Sequence, residues 1–434
     1  MRPSHSHKPI RLFLVALLCA AGVWLYAIRV LIPHQMSDAL AHHRPIGNLS
    51  DLYPRWLGAK ELLLRGRDPY SPEVTREIQQ GYYGRPLDQA RPGEPKDQQG
   101  FAYPVYVEFY LAPTIQLPFE TVRRGFCWVM FALTVASVPL WLRVLRWSPP
   151  QWTQASLIVF TVGSLSVMQG VKLQQMTLLV AALVAVAMAL LTSDRPIAAG
   201  IVLALATIKP QLVFLLLFWL MIWTLADWRR RYRWAASFMG TMAILFAASE
   251  WYLPHWLYRF LQAIHRYQNY SDAVSILDKL LTAPWGSLPR ALAVAATVYL
   301  VWKNRRIAAH GTTFAVMAAL VLAVTVIVTP SFALYNQVIL LPAMLLLARD
   351  WRLLWIRNRT SRVLLSLVAI ALCWQWLTSI VLTGLSFFLP LVTIEPAWAL
   401  PLWTVHFLSV IVAGLVLMVG YHATFGAPAT SVTS

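Results

Sequence analysis

Charged residues and cysteine are both scarce in this chain of 434 residues. Only 12% of it is charged, whereas 58% is apolar and 20 residues are tryptophan. A soluble domain is about a quarter charged, so the composition excludes that class and indicates a membrane protein with several spans. Cys19, Cys127 and Cys373 all lie within apolar runs. Without a CxxC pair they indicate neither a disulfide framework nor a metal site.

Acidic residues are half as numerous as basic ones, 18 against 36, which gives a net charge of +18. In a soluble protein this excess would suggest nucleic acid, but in a membrane protein basic residues gather in cytoplasmic loops. We therefore assign the excess to topology and expect no nucleic-acid partner. The chain has no GxxxxGK[ST] or GxGxxG loop for nucleotides. Its spans hold almost no ionisable residue, which argues against ion-coupled transport.

Long apolar runs indicate membrane-spanning helices, which need about 17 to 25 residues. We predict an all-α bundle of about twelve spans in one domain, residues 1–425, followed by a polar tail at 426–434. The first run lacks a cleavage site, so we expect an uncleaved anchor. The spans are predicted near residues 11–32, 121–145, 152–169, 174–192, 196–208, 211–226, 234–250, 288–303, 312–329, 332–348, 362–387 and 399–421.

One boundary has an alternative interpretation. The short spans 196–208 and 211–226 also fit a single long helix that is broken at Lys209–Pro210. Proline lacks a backbone N–H and its ring clashes with the preceding turn, so it interrupts a helix.

The short basic loops decide the predicted orientation. With the N-terminus inside, clusters such as Arg229–Arg231 all fall on the cytoplasmic side, and so does the C-terminus. The opposite face receives residues 33–120 and 251–287, together with the tight turns that carry Lys172 and Lys209. Long loops cross the membrane largely regardless of charge. We therefore expect the functional residues on this external face.

The first external segment, residues 33–120, divides into three predicted parts. Residues 50–66 predict an amphipathic interfacial helix that is capped by the Ser50 side chain and ended by Gly66. The polar stretch 84–100, rich in proline and glycine, predicts a flexible loop. The aromatic stretch that follows is interrupted by prolines and predicts a short helix that dips into the membrane.

Isolated polar residues on this face are the candidates for chemistry. Asp51, at the start of the interfacial helix, is either a structural cap or a general base. Asp68 precedes a proline and predicts a turn. Lys172 and Lys209 lie where the topology rule does not require positive charge, so they either bind an anionic group or extend to lipid headgroups. Arg55 is a further candidate for headgroups or phosphates.

Five short motifs follow one another at the predicted external ends of the spans. They are Asp51 followed by RGRDPY, then FAYPVY, QQMTLL, ATIKPQ and TPSFALYNQVILLP. Together they resemble glycosyltransferase family 87 of the GT-C superfamily, the polyprenyl-phosphate-mannose-dependent mannosyltransferases. The chain departs from this family at Gln174, where the family often has glycine, at Asn336, where it often has aspartate, and at Val105, where it often has proline.

The resemblance implies a GT-C type bundle and an inverting transfer of a sugar, mannose in this family. The donor would be a polyprenyl-phosphate sugar and the acceptor a hydroxyl of an envelope glycolipid or polysaccharide. The expected location is the plasma (inner) membrane, with membrane lipids as neighbours and the site facing the periplasm or cell exterior.

The resemblance also implies roles for single residues. Asp51 matches the family's catalytic carboxylate, and Lys209, assisted by Arg55 or Lys172, would hold the donor phosphate. With a single candidate carboxylate we expect no cofactor and no metal held by the protein alone, although a divalent ion could share the stabilisation of the phosphate. Four further residues are candidates for holding sugar or acceptor: Tyr103, Gln175, His265 and Tyr335. A lone histidine is more often structural, so His265 has that second interpretation.

Two other classes of protein stay open at this point. A flippase or transporter of a lipid-linked sugar would move an unmodified substrate and tolerate Asp51→Asn. A scaffold in an envelope complex would depend on no small molecule. The polar residues gather at one membrane face instead of running through the bundle, which favours the enzyme.

Overall fold

The computed structural model describes residues 7–42, 46–88, 94–270, 274–281, 285–329 and 333–425. Within these residues the chain is all-helical and has no strand, as the sequence predicts. The α-helices in chain order are α1 His7–Tyr26, α2 Ile32–Ala41, α3 Tyr53–Arg65, α4 Pro72–Tyr83, α5 Val107–Leu111, α6 Phe119–Val144, α7 Gln151–Val162, α8 Leu165–Lys172, α9 Met176–Thr192, α10 Pro196–Leu205, α11 Pro210–Leu225, α12 Trp228–Tyr252, α13 Trp256–Tyr270, α14 Ile276–Leu281, α15 Ser287–Lys303, α16 Thr312–Val328, α17 Leu341–Arg357, α18 Arg359–Leu385, α19 Leu391–Ile394 and α20 Val405–Phe425.

Several helical segments are long and apolar enough to cross a membrane. The described residues contain four of them: Ile10–Ala41, Phe119–Val144, Arg359–Leu385 and Leu391–Phe425. α7 and α8 add a fifth if their 55° bend lies within one span. α9, α11 and α16 are apolar but short, and a helix of 17 residues is about 25 Å long against roughly 30 Å of hydrocarbon. The membrane class is thus confirmed, while the count of about twelve spans stays a prediction.

The predicted interfacial helix is α3, which begins at Tyr53. Gly66 ends it with a left-handed φ of 64°, as predicted, because glycine has no Cβ to clash in that conformation. The predicted Ser50 cap is wrong, since no side chain caps α3. The Ser50 hydroxyl instead donates to Gln174 Oε1 at 2.6 Å. Because Gln174 is distant in sequence, a capping rule that uses only neighbouring residues cannot predict this contact.

The chain then turns back through α4 and α5. Asp68 forms the predicted turn, because its Oδ1 accepts a hydrogen bond from the backbone N–H of Tyr70 at 2.9 Å. The Ser71 hydroxyl caps α4 by accepting from the N–H of Val74 at 3.2 Å. The flexible loop predicted at 84–100 falls partly on residues 89–93, which lie outside the described part of the chain. α5 matches the predicted short helix.

The break predicted at Lys209–Pro210 is present. The chain after α10 continues as a short 3-10 turn and leaves helical geometry at Lys209, with φ −123° and ψ 79°. Pro210 then begins α11, where its missing N–H has no helical partner to lose. Lys209 thus lies between the two helices and belongs to neither, yet it is only 6% exposed.

The far end of α11 is held by Arg231 of α12. Its guanidinium donates to the carbonyl oxygens of Trp223 at 2.5 Å, Arg305 at 2.9 Å and Ile307 at 2.9 Å. A buried charge needs such partners. α11 packs in turn against α16, which is buried along nearly its whole length and also contacts α20. The bundle core therefore supports the helix that begins next to Lys209.

Candidate active site

Asp51 is half-buried in the turn before α3. Its backbone N–H donates to the carbonyl of Leu173 at 3.0 Å, which ties this turn to the end of α8. Its Oδ1 accepts a hydrogen bond from the Tyr82 hydroxyl at 3.3 Å, and its Oδ2 accepts one from the Gln175 amide. A carboxylate oxygen has two lone pairs. Each oxygen of Asp51 therefore keeps acceptor capacity for a substrate hydroxyl.

A continuous chain of hydrogen bonds joins Asp51 to Lys209. The Lys209 ammonium donates to Gln175 Oε1 at 2.7 Å and to Thr177 Oγ1 at 2.8 Å. Because an ammonium only donates, the Gln175 oxygen faces Lys209 and its NH₂ group faces Asp51. The Thr177 hydroxyl in turn donates a hydrogen bond to Asn336 Oδ1 at 3.1 Å. Because the lysine can only donate, it sets the direction of the hydrogen bonds from Gln175 to Asp51 and from Thr177 to Asn336.

Tyr103 lies between two cations. The Arg55 guanidinium carbon is 4.1 Å from its ring centroid, and the Lys209 nitrogen is 5.7 Å from it. The same nitrogen is 5.0 Å from the ring of Tyr335. Burial raises the pKa of Tyr103, but Lys209 and Arg55 outweigh burial and leave it below its ordinary value. Arg55 also donates to the backbone carbonyl of Asp51, so both cations lie within the same cluster.

The turn between α8 and α9 positions the Gln175 side chain. Gln174 has a φ of 51°, which is uncommon for a residue with a side chain. Its amide donates to the carbonyls of Val171 at 2.8 Å and Lys172 at 2.7 Å, which stabilises this turn. Residue 174 thus keeps a left-handed backbone conformation although it carries a side chain, and Gln175 follows directly from this turn.

Two predicted residues lie apart from this cluster. The Lys172 ammonium donates a hydrogen bond to Gln35 of α2, although it is close enough to Asp51 for an electrostatic interaction. His265 is exposed on α13, and the described contacts do not join it to Asp51 or Lys209. Tyr267, on the same helix, interacts electrostatically with Arg55. α13 thus reaches the cluster through a residue that the sequence did not single out.

Further residues of the cluster were not among the site residues predicted from the sequence. Thr177 and Asn336 stand inside the QQMTLL and ALYNQ motifs, and their polarity within apolar runs was an available signal. Tyr82 carried no such signal. Asp97 is a second carboxylate close enough to interact with Asp51, and burial raises its pKa. Its oxygens accept from the backbone and amide N–H groups of Gln99, both at 2.9 Å, so it stabilises the turn at 97–99.

Glu108 of α5 is a fully buried carboxyl group. Neither of its oxygens has a hydrogen-bond partner among the described residues. Burial, together with the charge of Asp68, raises the pKa of Glu108 well above its ordinary value. The group is therefore protonated in the folded protein over a pH range in which it is ionised in the unfolded chain.

We expect Glu108→Gln to flatten the pH dependence of stability. Above the ordinary glutamate pKa of about 4.3, the unfolded chain loses a proton that the folded chain keeps. The free energy of unfolding of the wild type then falls by about 1.4 kcal/mol per pH unit up to the folded pKa. Glutamine does not titrate, so thermal unfolding in detergent should show a larger gain at pH 8 than at pH 5. The exposed Glu120→Gln is the control; equal gains at both pH values would contradict the prediction.

The described residues hold no group of three or more His, Cys, Asp or Glu side chains placed to bind a metal ion. The cluster offers instead a half-buried carboxylate, two cations and several aromatic rings at the ends of apolar helices. A carboxylate next to cations can accept a proton while the cations stabilise an anionic leaving group.

Comparison with protein families identifies the class of this membrane protein as a glycosyltransferase. The family model of glycosyltransferase family 87 matches residues 101–331, more than half of the 434 residues. The chain belongs to glycosyltransferase family 87, whose activity is glycosyl transfer. No curated protein and no solved structure matches it.

The matched range contains only part of the cluster. Tyr103, Gln175 and Lys209 lie inside it, whereas Asp51 and Tyr335 lie outside it. Asp51 is joined to the matched part by the hydrogen bond that its Oδ2 accepts from Gln175. The structure thus supplies a connection between Asp51 and the family region that the family match does not contain.

Proposed function

We propose that this glycosyltransferase is an inverting enzyme of the GT-C type. It moves a sugar, mannose, from a polyprenyl-phosphate donor to a hydroxyl of an envelope glycolipid or polysaccharide. The observation that carries the proposal is the placement of Asp51 and Lys209 on the two sides of the Gln175 amide. A single displacement needs such a pair, a base for the acceptor hydroxyl and a cation for the departing phosphate.

Asp51 is the general base of this mechanism. It takes the proton of the acceptor hydroxyl as that oxygen attacks the anomeric carbon. The new C–O bond forms as the bond between the anomeric carbon and the phosphate oxygen breaks, so configuration inverts. Tyr82 and Gln175 hold the two carboxylate oxygens in place and leave acceptor capacity for the incoming hydroxyl.

Lys209 and Arg55 stabilise the negative charge that gathers on the polyprenyl phosphate as it leaves. Both lie against Tyr103, and both are held before substrate arrives, so little reorganisation accompanies the reaction. Lys172, at the end of α8, is a further cation near Asp51. The donor's lipid tail stays in the bilayer, which suits a site at the ends of apolar helices.

The position of the basic loops supports an external site in the plasma membrane. Arg231 lies at the end of α11 opposite Lys209, in the basic cluster that the positive-inside rule assigns to the cytoplasm. Lys209 and its neighbours then face the periplasm or the cell exterior. A donor carried by a polyprenyl phosphate requires no water-soluble nucleotide sugar on that side.

The test is a donor panel. Purified protein is incubated with an acceptor extract of envelope lipids and with polyprenyl-phosphate mannose, glucose or galactose, and products are identified by mass spectrometry. We expect transfer from the mannose donor and inversion at its anomeric carbon. Transfer from the glucose or galactose donor but not from the mannose donor, or retention of configuration, would contradict the proposal.

A further inference from the structure

An open cleft of about 350 Å³ lies between α4 and α13 and is floored by residues 98–102. Tyr70, Phe101 and Tyr270 are among its lining residues; Tyr70 and Phe101 are buried, whereas the Tyr270 ring is partly exposed. Arg76 and Arg266 also line it. None of the described residues that line this α4–α13 cleft is acidic. Its accessible surface therefore combines the aromatic ring of Tyr270 with positive charge.

The segment that floors the cleft also borders the Asp51 cluster. The Tyr103 side chain contacts Arg55 and Lys209, whereas its backbone carbonyl accepts a hydrogen bond from the Tyr70 hydroxyl at 2.6 Å. Tyr70 itself lines the cleft. One stretch of chain thus separates the cleft from the candidate active site and contacts both.

α4 gives a second measure of how close the two sites are. Gln79, which lines the cleft, donates to the carbonyl of Gln98 at 3.0 Å. Tyr82, three residues further along α4, donates to Asp51. Three residues correspond to about 5 Å along a helix axis. The residue of α4 that lines the cleft and the residue of α4 that contacts Asp51 are therefore less than one helical turn apart.

The side chains of the cleft suit an anionic sugar. Flat aromatic faces pack against the apolar face of a sugar ring, and guanidinium groups bind carboxylate or phosphate with paired hydrogen bonds. Arg266 donates a 3.3 Å hydrogen bond to the carbonyl of Tyr70, which uses one of its five N–H donors. Arg76 pairs with Glu73 at 3.5 Å, and both side chains are exposed. Both arginines retain donors for a ligand.

We propose that the α4–α13 cleft binds an anionic sugar unit of the acceptor, one that bears a carboxylate or a phosphate, while a neighbouring unit presents its hydroxyl to Asp51. This inference rests on the proposed function, because it assigns the class of acceptor that the same site uses. It makes the charge of the acceptor a determinant of specificity.

Binding of labelled disaccharides to the purified full-length protein in detergent tests this assignment. The probes end in glucuronate, in glucose 6-phosphate or in neutral glucose, and their Kd values are measured by fluorescence anisotropy. We expect at least one anionic probe to bind ten times or more as tightly as the neutral one, and the two anionic arms identify the preferred group. Arg266→Gln should remove this preference. Arg124→Gln, on the exposed start of α6, should retain it.

Gly100 permits a second test that involves no charge. A Cβ at this position would meet no atom nearer than 3.8 Å, so a larger side chain enters the cleft without displacing its walls. Gly100→Leu should weaken binding of the anionic probe tenfold or more. Gly125→Leu is the matched control, because a Cβ there meets nothing within 4 Å.

Equal binding of all three probes, or binding that survives Gly100→Leu, would overturn the assignment. The failure of the proposed function looks different. In that case the protein binds the anionic probe in a manner sensitive to Arg266→Gln and Gly100→Leu, yet it transfers no sugar from any lipid donor. The assignment of the cleft then stands, whereas the glycosyl transfer mechanism at Asp51 is contradicted.

Discussion

Asp51→Asn should lower sugar transfer by roughly 10²- to 10⁴-fold, the usual contribution of a general base. Asparagine has nearly the shape of aspartate but cannot take the proton of the acceptor hydroxyl. The backbone contacts of residue 51 with Leu173 and Arg55 do not involve its side chain, so the fold should persist. Transfer from a labelled polyprenyl-phosphate sugar, in membranes with matched amounts of protein, measures the effect.

Asp97→Asn is the matched control for this prediction. Asp97 is a partly buried carboxylate close enough to interact with Asp51, yet its hydrogen bonds go to Gln99. Its amide variant should keep most of the activity. If Asp51→Asn transfers sugar at the wild-type rate, or if the two variants lose activity equally, Asp51 is not the base.

Lys209→Met should lower kcat by about 10²- to 10³-fold, the loss seen when one preorganised charge or donor is removed from a reaction centre. Methionine keeps the length and apolar body of the lysine but removes its charge. It also frees the Gln175 oxygen, so the amide can rotate and withdraw its NH₂ group from Asp51. kcat at saturating donor is the measurement, and Lys303→Met, at an exposed position, is the control.

Gln175→Leu separates the two routes by which Lys209 can act. If the lysine works only through the amide, the double variant Lys209→Met with Gln175→Leu should be no slower than Gln175→Leu alone. If the lysine also stabilises the phosphate directly, the double variant should be slower than Gln175→Leu alone. Normal turnover by Lys209→Met would contradict both routes.

Several members of the cluster were predictable because hydropathy locates the ends of helices. Residues at the ends of successive apolar runs, on one side of the membrane, lie in one layer even when they are far apart in sequence. Asp51, Gln175 and Lys209 were placed in such a layer, and the structure joins them by hydrogen bonds. Pro210 made the helix break next to Lys209 predictable as well.

The types of residue alone did not give the direction of side chains within that layer. His265 and Tyr267 are two positions apart on α13, which is about 200° around a helix, so only one of them faces a given neighbour. α13 is amphipathic, and Tyr267 continues the helical spacing of its buried residues Trp256, Phe260 and Ala263, whereas His265 does not, so this spacing was the available signal. Ser50 is a comparable case, because its hydroxyl suits both a local cap and the tertiary partner Gln174, and only packing decides between them.

The chain of hydrogen bonds at Asp51 is also spread widely along the sequence. Asp51 and Gln175 are 124 positions apart, and Thr177 and Asn336 are 159 apart. During synthesis Asp51 emerges early, while Asn336 emerges only after most of the bundle has been made. A nascent chain interrupted before α11 would hold the carboxylate without Lys209. On the proposed mechanism, activity is therefore acquired late in membrane insertion, when Lys209 and the residues after it join a site whose first residue was made much earlier.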